Sequence, residues 1–197
     1  MVIANLFGIF TFLYLLWKRL KDDYHYEKIF NLSFIVLFSL IIGLIISKFI
    51  LPQFWFWISL TTVMLGFTAF IVSTKIRFYE SFEGLVLSFL PWISFIFLHD
   101  AVINSSLSSF LAFWITLICL FVFFFCDSQY RGFTWYKSGR VGFAGLVTAG
   151  LFFTLRLVMS IYFKDVISLA NNLEVYFSAT VAFTIFLLLY NLSRTKE

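Results

Sequence analysis

The sequence has little charge, and this shortage is its most informative feature. Charged residues make up 12% of the 197 residues, whereas hydrophobic residues make up 62%. Soluble domains carry about 25% charged residues, so the composition excludes an ordinary soluble fold. The net charge of +4 is too small to indicate nucleic-acid binding.

Residues that build common catalytic and metal sites are also scarce. The only two cysteines, Cys119 and Cys126, lie in one apolar run and indicate neither a metal site nor a disulfide framework. The sequence contains no glycine-rich phosphate loop, no zinc-ligand spacing and no Ser/His/Asp order typical of hydrolases. We therefore predict no metal and no cofactor.

Long apolar runs are abundant instead. Runs of about twenty residues fit membrane-spanning helices, not the alternating ten-residue strands of a membrane barrel. We predict an all-α, polytopic integral membrane protein with a single transmembrane domain, residues 1–197, and seven helices. Their predicted bounds are about Val2–Trp17, Ile29–Leu51, Phe56–Ser73, Gly84–Leu98, Ser109–Cys126, Val141–Phe163 and Leu173–Leu192.

The basic residues are distributed unevenly between the two sides of this predicted bundle. Eleven of the 14 lysines and arginines follow the first, third, fifth and seventh helices. Only Lys48 and Lys164 fall on the other side, and Arg156 lies within a helix. The positive-inside rule then places the N-terminus outside and the C-terminus in the cytoplasm. No basic residue precedes the first apolar run, which favours an uncleaved first helix.

The sixth predicted helix contains one full charge, Arg156. An arginine within a span costs roughly 3 kcal/mol or more, so it needs a phosphate, a carboxylate or a water-filled cavity. Counted from Arg140, Arg156 lies about 24 Å along the helix, near the opposite membrane face. We therefore take Arg156 as the first candidate for a functional site.

Three further ionisable residues are predicted at the depth of Arg156, towards the outer leaflet. Lys48 lies near the end of the second helix, and His99 and Asp100 follow the fourth. The cation pair of Arg156 and Lys48 suits a phospholipid phosphate. His99 can act as a base or proton shuttle, with Asp100 or Asn104 beside it.

Each of these residues also has a structural interpretation. The ammonium group of Lys48 can simply reach the membrane surface. His99 and Asp100 can belong to an ordinary solvated loop. Arg156 can bind helix ends or a carboxylate such as Asp100 or Glu174. The sequence leaves these interpretations open.

Three segments have the pattern of a known family. They are the first two helices with their basic loop, the segment FYESFEGLVLSFLPWISF, and the final ANNLEVYFSATVAFTIFLLL. Gly142 and Phe143 precede Arg156 at a fixed offset. In these features the chain resembles the prolipoprotein diacylglyceryl transferases, bacterial seven-helix enzymes with a Gly-Phe pair and an essential arginine at that offset.

The resemblance implies a specific reaction. The family transfers diacylglyceryl from phosphatidylglycerol to the lipobox cysteine of a preprolipoprotein, at the outer side of the bacterial inner membrane. It implies that Arg156 binds phosphate with Lys48 as helper, and that His99, with Asp100, serves as a substitute base. The implied partners are a phosphatidylglycerol-like phospholipid and a preprolipoprotein signal peptide.

The chain departs from the family at three signatures. LTTVML, residues Leu60–Leu65, replaces the family's Leu-Ser-Phe-His-Gly-Gly, with Val63 at about the histidine position. FIFLHDAVIN lacks the arginine of the fourth-helix Gly-Arg-Ile-Gly-Asn signature. Lys48 stands three positions after the place of the second-helix arginine.

Two main interpretations follow from the resemblance and its departures. The first is a divergent diacylglyceryl transferase. The second is a non-catalytic seven-helix membrane protein that keeps the fold and a phospholipid-binding groove as a scaffold or partner. Convergence of Lys48, His99 and Arg156 on a lipid-open groove favours the enzyme, whereas neutralisation of Arg156 by one acidic partner in a packed interior favours the scaffold. A small transporter is a third, weaker interpretation, because no related halves are visible.

Overall fold

The computed structural model describes residues 2–130, 142–163, 166, 168–169 and 173–194. Within these residues every regular element is helical, and seven α-helices are long and apolar enough to cross a membrane. The helices are α1 Val2–Leu20, α2 Tyr26–Ile50, α3 Trp55–Thr74, α4 Phe78–Asn104, α5 Leu107–Gln129, α6 Phe143–Tyr162 and α7 Leu173–Arg194. The predicted all-α class with seven spanning-length helices is confirmed for this part of the chain. Arg140 and Lys164, which contribute to the predicted orientation, lie outside the described residues.

The predicted start of the fourth helix is wrong by six residues. The charged residues Glu80 and Glu83 suggested a loop ending at Gly84, but α4 begins at Phe78. Glu83 is buried, 1% exposed, because Arg19 of α1 forms an ion pair with it. A carboxylate paired in this way does not have to face water, so the helix extends through it.

The predicted end of the fourth helix, Leu98, is also wrong. His99, Asp100 and Asn104 belong to the last turns of α4 rather than to a loop. Asp100 accepts a hydrogen bond from Asn104 one turn later, with Nδ2 and Oδ1 2.8 Å apart. The other predicted helix ends differ from the structure by no more than three residues.

Most helices pack on a neighbour in the chain, and α4 packs in addition on α1 and α6. α2 packs on α3, and α4, α5, α6 and α7 pack successively. α1 lies antiparallel along α4: the Phe12 ring is 4.9 Å from the Phe89 ring, and Phe7 is 6.4 Å from Phe95. α6 approaches α4 closely because Gly145 has no side chain; a Cβ there would lie 2.7 Å from the Glu83 Cα.

The α2–α3 hairpin meets the other helices at its two ends. At one end Trp57 of α3 stacks on Phe153 of α6, with ring centroids 5.8 Å apart. At the other end Phe67 of α3 lies 5.4 Å from Phe78 of α4. Between these contacts a cavity separates the hairpin from α4. We call the first end the Arg156 end, after the arginine that lies against Phe56 there.

Candidate functional site

Arg156 lies on α6 and is enclosed by protein, with 5% of its surface exposed. Its Nε donates a hydrogen bond to Glu174 of α7. Its Nη1 donates to the Ser168 hydroxyl at 2.9 Å, and its Nη2 donates to the Ser168 carbonyl. The guanidinium carbon lies 3.7 Å from the centroid of the Phe56 ring. All three nitrogens are therefore engaged with the protein.

Glu174 balances the charge of Arg156 and connects three helices. It is 0% exposed. One carboxylate oxygen accepts hydrogen bonds from Arg156 and from the Ser178 hydroxyl, the latter at 2.8 Å. The other oxygen accepts from the Trp57 indole at 2.7 Å. Arg156 is thus neutralised by one carboxylate in a packed interior, the arrangement that the sequence analysis associated with a scaffold.

The other three predicted site residues have different surroundings. Asp100 is 6% exposed and accepts hydrogen bonds from Asn104 and from the Ser109 hydroxyl of α5. His99 is half-buried near the end of α4, and Lys48 is exposed near the end of α2. The catalytic roles of His99 and Asp100, and phosphate binding by Arg156 and Lys48, stay predictions.

A large cavity lies between the α2–α3 hairpin and helices α1, α4 and α6. Its volume is about 650 Å³, within the range of roughly 300–1,000 Å³ typical of ligand pockets. Along α4 it extends from Phe82 to Phe97, which corresponds to about 22 Å of helix. One leaflet contributes about 15 Å to the hydrocarbon core, so the cavity is deeper than a leaflet.

The cavity wall is almost entirely apolar. Among the described lining residues, the polar side chains apart from tryptophan indoles are Asn5 of α1, Ser59 of α3 and Ser168. None of these lining residues is ionisable. The four predicted site residues lie outside this described lining: Lys48, His99, Asp100 and Arg156. The wall therefore suits a hydrocarbon chain rather than a charged group.

Val63, which the predicted resemblance puts at about the position of the family's third-helix histidine, is buried in the cavity wall with 3% exposure. A valine cannot transfer a proton or donate a hydrogen bond from its side chain. At this point of the chain, the described wall offers apolar contact and no proton chemistry.

A second buried ion pair lies at the opposite end of the bundle, which we call the Glu83 end. Arg19 of α1 contacts Glu83 of α4 at 2.8 Å and Asp127 of α5 at 3.3 Å. The backbone N–H of Gly142, just before α6, donates to the other Glu83 oxygen at 3.1 Å. Glu83 and Arg19 together thus link α1, α4, α5 and the start of α6. This cluster was not predicted from the sequence, where Arg19 contributes only to the predicted orientation.

Tyr24, between α1 and α2, extends the polar contacts of the Glu83 end. Its hydroxyl donates to Glu80 at 2.6 Å and accepts from the Arg77 backbone N–H at 3.2 Å. Burial, followed by the hydrogen bond to Glu80, raises the pKa of Tyr24 to about 12. The phenol therefore stays protonated and able to donate at neutral pH.

Comparison with known proteins gives no relative for this chain. No protein-family model matches it, and neither does any curated protein or solved structure. The resemblance to the diacylglyceryl transferases consequently stays a prediction from the residues. Among the described residues, no group of three His, Cys, Asp or Glu side chains is placed to hold a metal ion.

Proposed function

We propose that this protein holds the apolar chain of a membrane lipid in the cavity between the α2–α3 hairpin and α4. The observation that carries the proposal is the cavity itself, about 650 Å³ with no ionisable residue in its described wall. A hydrocarbon chain gains about 0.8 kcal/mol for each CH₂ removed from water, but nothing comparable on leaving a bilayer. Binding of a lipid from the membrane then depends on close packing of its chain against the cavity wall and on polar contacts at the edge of the cavity.

The surroundings of Arg156 support a lipid-holding role over group transfer. Phosphate binding needs guanidinium N–H groups that face the substrate. Here three of the five N–H groups of Arg156 donate to Glu174 and Ser168, and the side chain is only 4% exposed. The role corresponds to the non-catalytic alternative, in which the fold serves as a lipid-binding scaffold or partner.

The proposed setting is the plasma membrane of a bacterium. The basic residues favour an outside N-terminus and a cytoplasmic C-terminus, and the bacterial inner membrane follows from the family resemblance. In this orientation the Arg156 end lies towards the outer leaflet.

A matched pair of substitutions on α3 tests the proposal. Val63→Phe places a ring in the cavity, whereas Leu65→Phe places one on an outward face that is 64% exposed. The full chain is purified in detergent, and co-purified lipid is extracted and counted per protein. We expect about one tightly retained lipid for wild type and Leu65→Phe, and a loss of most of it for Val63→Phe. Equal amounts of retained lipid in the two variants would show that the cavity is not the binding site.

The transferase reading is tested in a cell depleted of its own diacylglyceryl transferase. The chain is expressed together with a reporter prolipoprotein, and the mass of the reporter is measured. We expect an unmodified reporter despite folded protein in the membrane. A mass gain of the size of a diacylglyceryl group on the lipobox cysteine would contradict our proposal and show that the chain carries out the transfer reaction of the family.

A further inference from the structure

The cavity wall contains one polar side chain whose orientation is fixed by a neighbour. Asn5 of α1 accepts a hydrogen bond at its Oδ1 from the Trp92 indole nitrogen of α4, at 3.2 Å. Trp92 reaches this position because Gly8 leaves room; a Cβ at Gly8 would lie 2.0 Å from the indole Cδ1. An indole N–H can only donate, so the Asn5 atom that faces it must be the carbonyl oxygen.

This orientation leaves the amide NH₂ of Asn5 available. Asn5 is half-buried and lines the cavity, and its NH₂ group has no hydrogen-bond partner among the described residues. An unsatisfied donor is unfavourable when lipid rather than water surrounds it. A ligand that brings an acceptor oxygen to Asn5 removes this penalty.

A second unpaired polar group lies on the α3 wall of the same cavity. Ser59 is 5% exposed, and its hydroxyl has no hydrogen-bond partner among the described residues. The other hydroxyls nearby on α3 behave differently. Thr61 and Thr62 each donate to the carbonyl four residues earlier, at 2.8 and 3.0 Å. The Ser59 Oγ is fully enclosed by protein, so the unpaired group that a ligand in the cavity can reach among the described residues is the NH₂ of Asn5.

The absence of charge in the described cavity wall limits which chemical class of ligand can bind. The described cavity wall contains no ionisable side chain, and the guanidinium of Arg156 lies outside it and is paired with Glu174. An anionic group inside such a wall would lose its hydration without gaining a cation. The part of the ligand inside the cavity is therefore uncharged.

From these observations we infer that Asn5 donates a hydrogen bond to the ester carbonyl of an acyl lipid whose chain fills the cavity and whose part inside the cavity is uncharged. The inference rests on the proposed function and adds the chemical class of the ligand. The acyl chain supplies contact with the apolar wall, and the ester carbonyl supplies the acceptor that Asn5 lacks. Trp92 acts as a positioning residue, because it sets which side of the carboxamide faces the ligand.

Three probes with the same chain length separate the contribution of the apolar chain from those of an ester group and of a negative charge. Octadecane has no polar group, methyl octadecanoate adds an uncharged ester, and octadecyl phosphate adds a negative charge. Each probe is titrated into the purified full chain in detergent micelles, and binding is measured by native mass spectrometry. For wild type we expect the ester to bind about fivefold more tightly than octadecane, the effect of one net hydrogen bond. Octadecyl phosphate should bind no more tightly than octadecane.

Matched substitutions assign the preference to Asn5. Asn5→Leu should reduce the ester-to-octadecane ratio to about one. Asn31→Leu, which replaces an exposed carboxamide on α2, should leave the ratio unchanged. Using a ratio cancels any general loss of binding-competent protein, and the wild-type comparison requires no variant.

Each other result overturns a specific part of the account. Equal wild-type affinity for ester and octadecane, or an unchanged ratio in Asn5→Leu, would overturn the role of Asn5. If octadecyl phosphate bound most tightly, the conclusion that the part of the ligand inside the cavity is uncharged would be wrong. If octadecane and the ester both failed to bind wild type, the proposed function would fail together with this inference.

Discussion

The two ends of the helical bundle each bury an ion pair, but they enclose it differently. At the Arg156 end the side chains of Arg156 and Glu174 are 4% and 0% exposed, and each is the charge partner of the other. At the Glu83 end Arg19 is 20% exposed and lies near two carboxylates, Glu83 and Asp127. One end thus holds a closed pair, and the other shares a cation between two acids.

This difference bears on whether the charge of Arg156 is structural or functional. An intramembrane arginine is a functional candidate by default, because an unpaired charge is costly in hydrocarbon. The closed pair with Glu174 meets that requirement within the protein. The unpaired polar groups of the described cavity wall belong instead to Asn5 and Ser59, two uncharged residues.

The largest expected effect comes from opening the closed pair. Glu174→Gln keeps the side-chain shape but leaves the buried Arg156 without a counter-charge. Removal of one partner from a buried pair costs about 3–5 kcal/mol, so we expect a loss of this size in the free energy of unfolding. Unfolding in detergent measures it. The double variant Arg156→Met/Glu174→Gln should lose much less than the sum of the single changes, and simple additivity would contradict coupling.

The same substitution at the Glu83 end should cost less. In Glu83→Gln, Arg19 keeps Asp127 at 3.3 Å and retains partial access to solvent. We expect a loss of about 1–3 kcal/mol, mainly from the hydrogen bonds that a carboxylate makes here. A loss for Glu83→Gln as large as that for Glu174→Gln would remove the distinction between the two ends.

Trp57→Phe isolates the hydrogen bond that joins the α2–α3 hairpin to α7. Phenylalanine keeps an aromatic ring for stacking on Phe153 but removes the indole N–H that donates to Glu174 at 2.7 Å. We expect a loss of about 1–3 kcal/mol in stability, because a buried carboxylate oxygen loses its partner. Trp114→Phe, at a position 48% exposed, serves as the control and should have little effect.

Tyr24→Phe should have the smallest effect, about 1 kcal/mol, and that effect should depend on pH. The pKa of Tyr24 is raised from 10.0 to about 12, so its contribution is fully present below pH 10 and is lost as the pH rises towards 12. Stability differences between wild type and Tyr24→Phe, measured from pH 8 upwards, test this sign. A difference that grew with pH would contradict the assigned hydrogen bond to Glu80.

The helices were predictable from sequence because apolar runs of spanning length leave few alternatives. The ends of α4 were not predictable, because their acidic side chains bind partners from elsewhere in the chain. Glu83 pairs with Arg19, 64 residues earlier, and Asp100 binds the Ser109 hydroxyl of the next helix. A local pattern rich in acids therefore resembles a loop, although the fold buries it.

The candidate site was only partly predictable for a related reason. Arg156 stood out as a charge in an apolar run, and Glu174 was one of the two acidic partners considered for it. The cavity depends on how far the α2–α3 hairpin stands from α4, which no hydrophobic pattern encodes. Asn5 was not predicted as a site residue because a single amide in a helix is common. Its orientation depends on the hydrogen bond from Trp92, which is 87 residues away in the chain.

Photo-crosslinking tests the central claim most directly. An acyl ester with a mid-chain diazirine is added to the purified full chain in detergent, and the labelled residues are mapped by mass spectrometry. We predict labels on the cavity wall, such as Val63 and Phe89, that saturate at one per protein and are lost when unlabelled ester competes. Labels confined to outward residues such as Leu65 and Val72, with no competition, would contradict the proposal that the cavity holds a lipid chain.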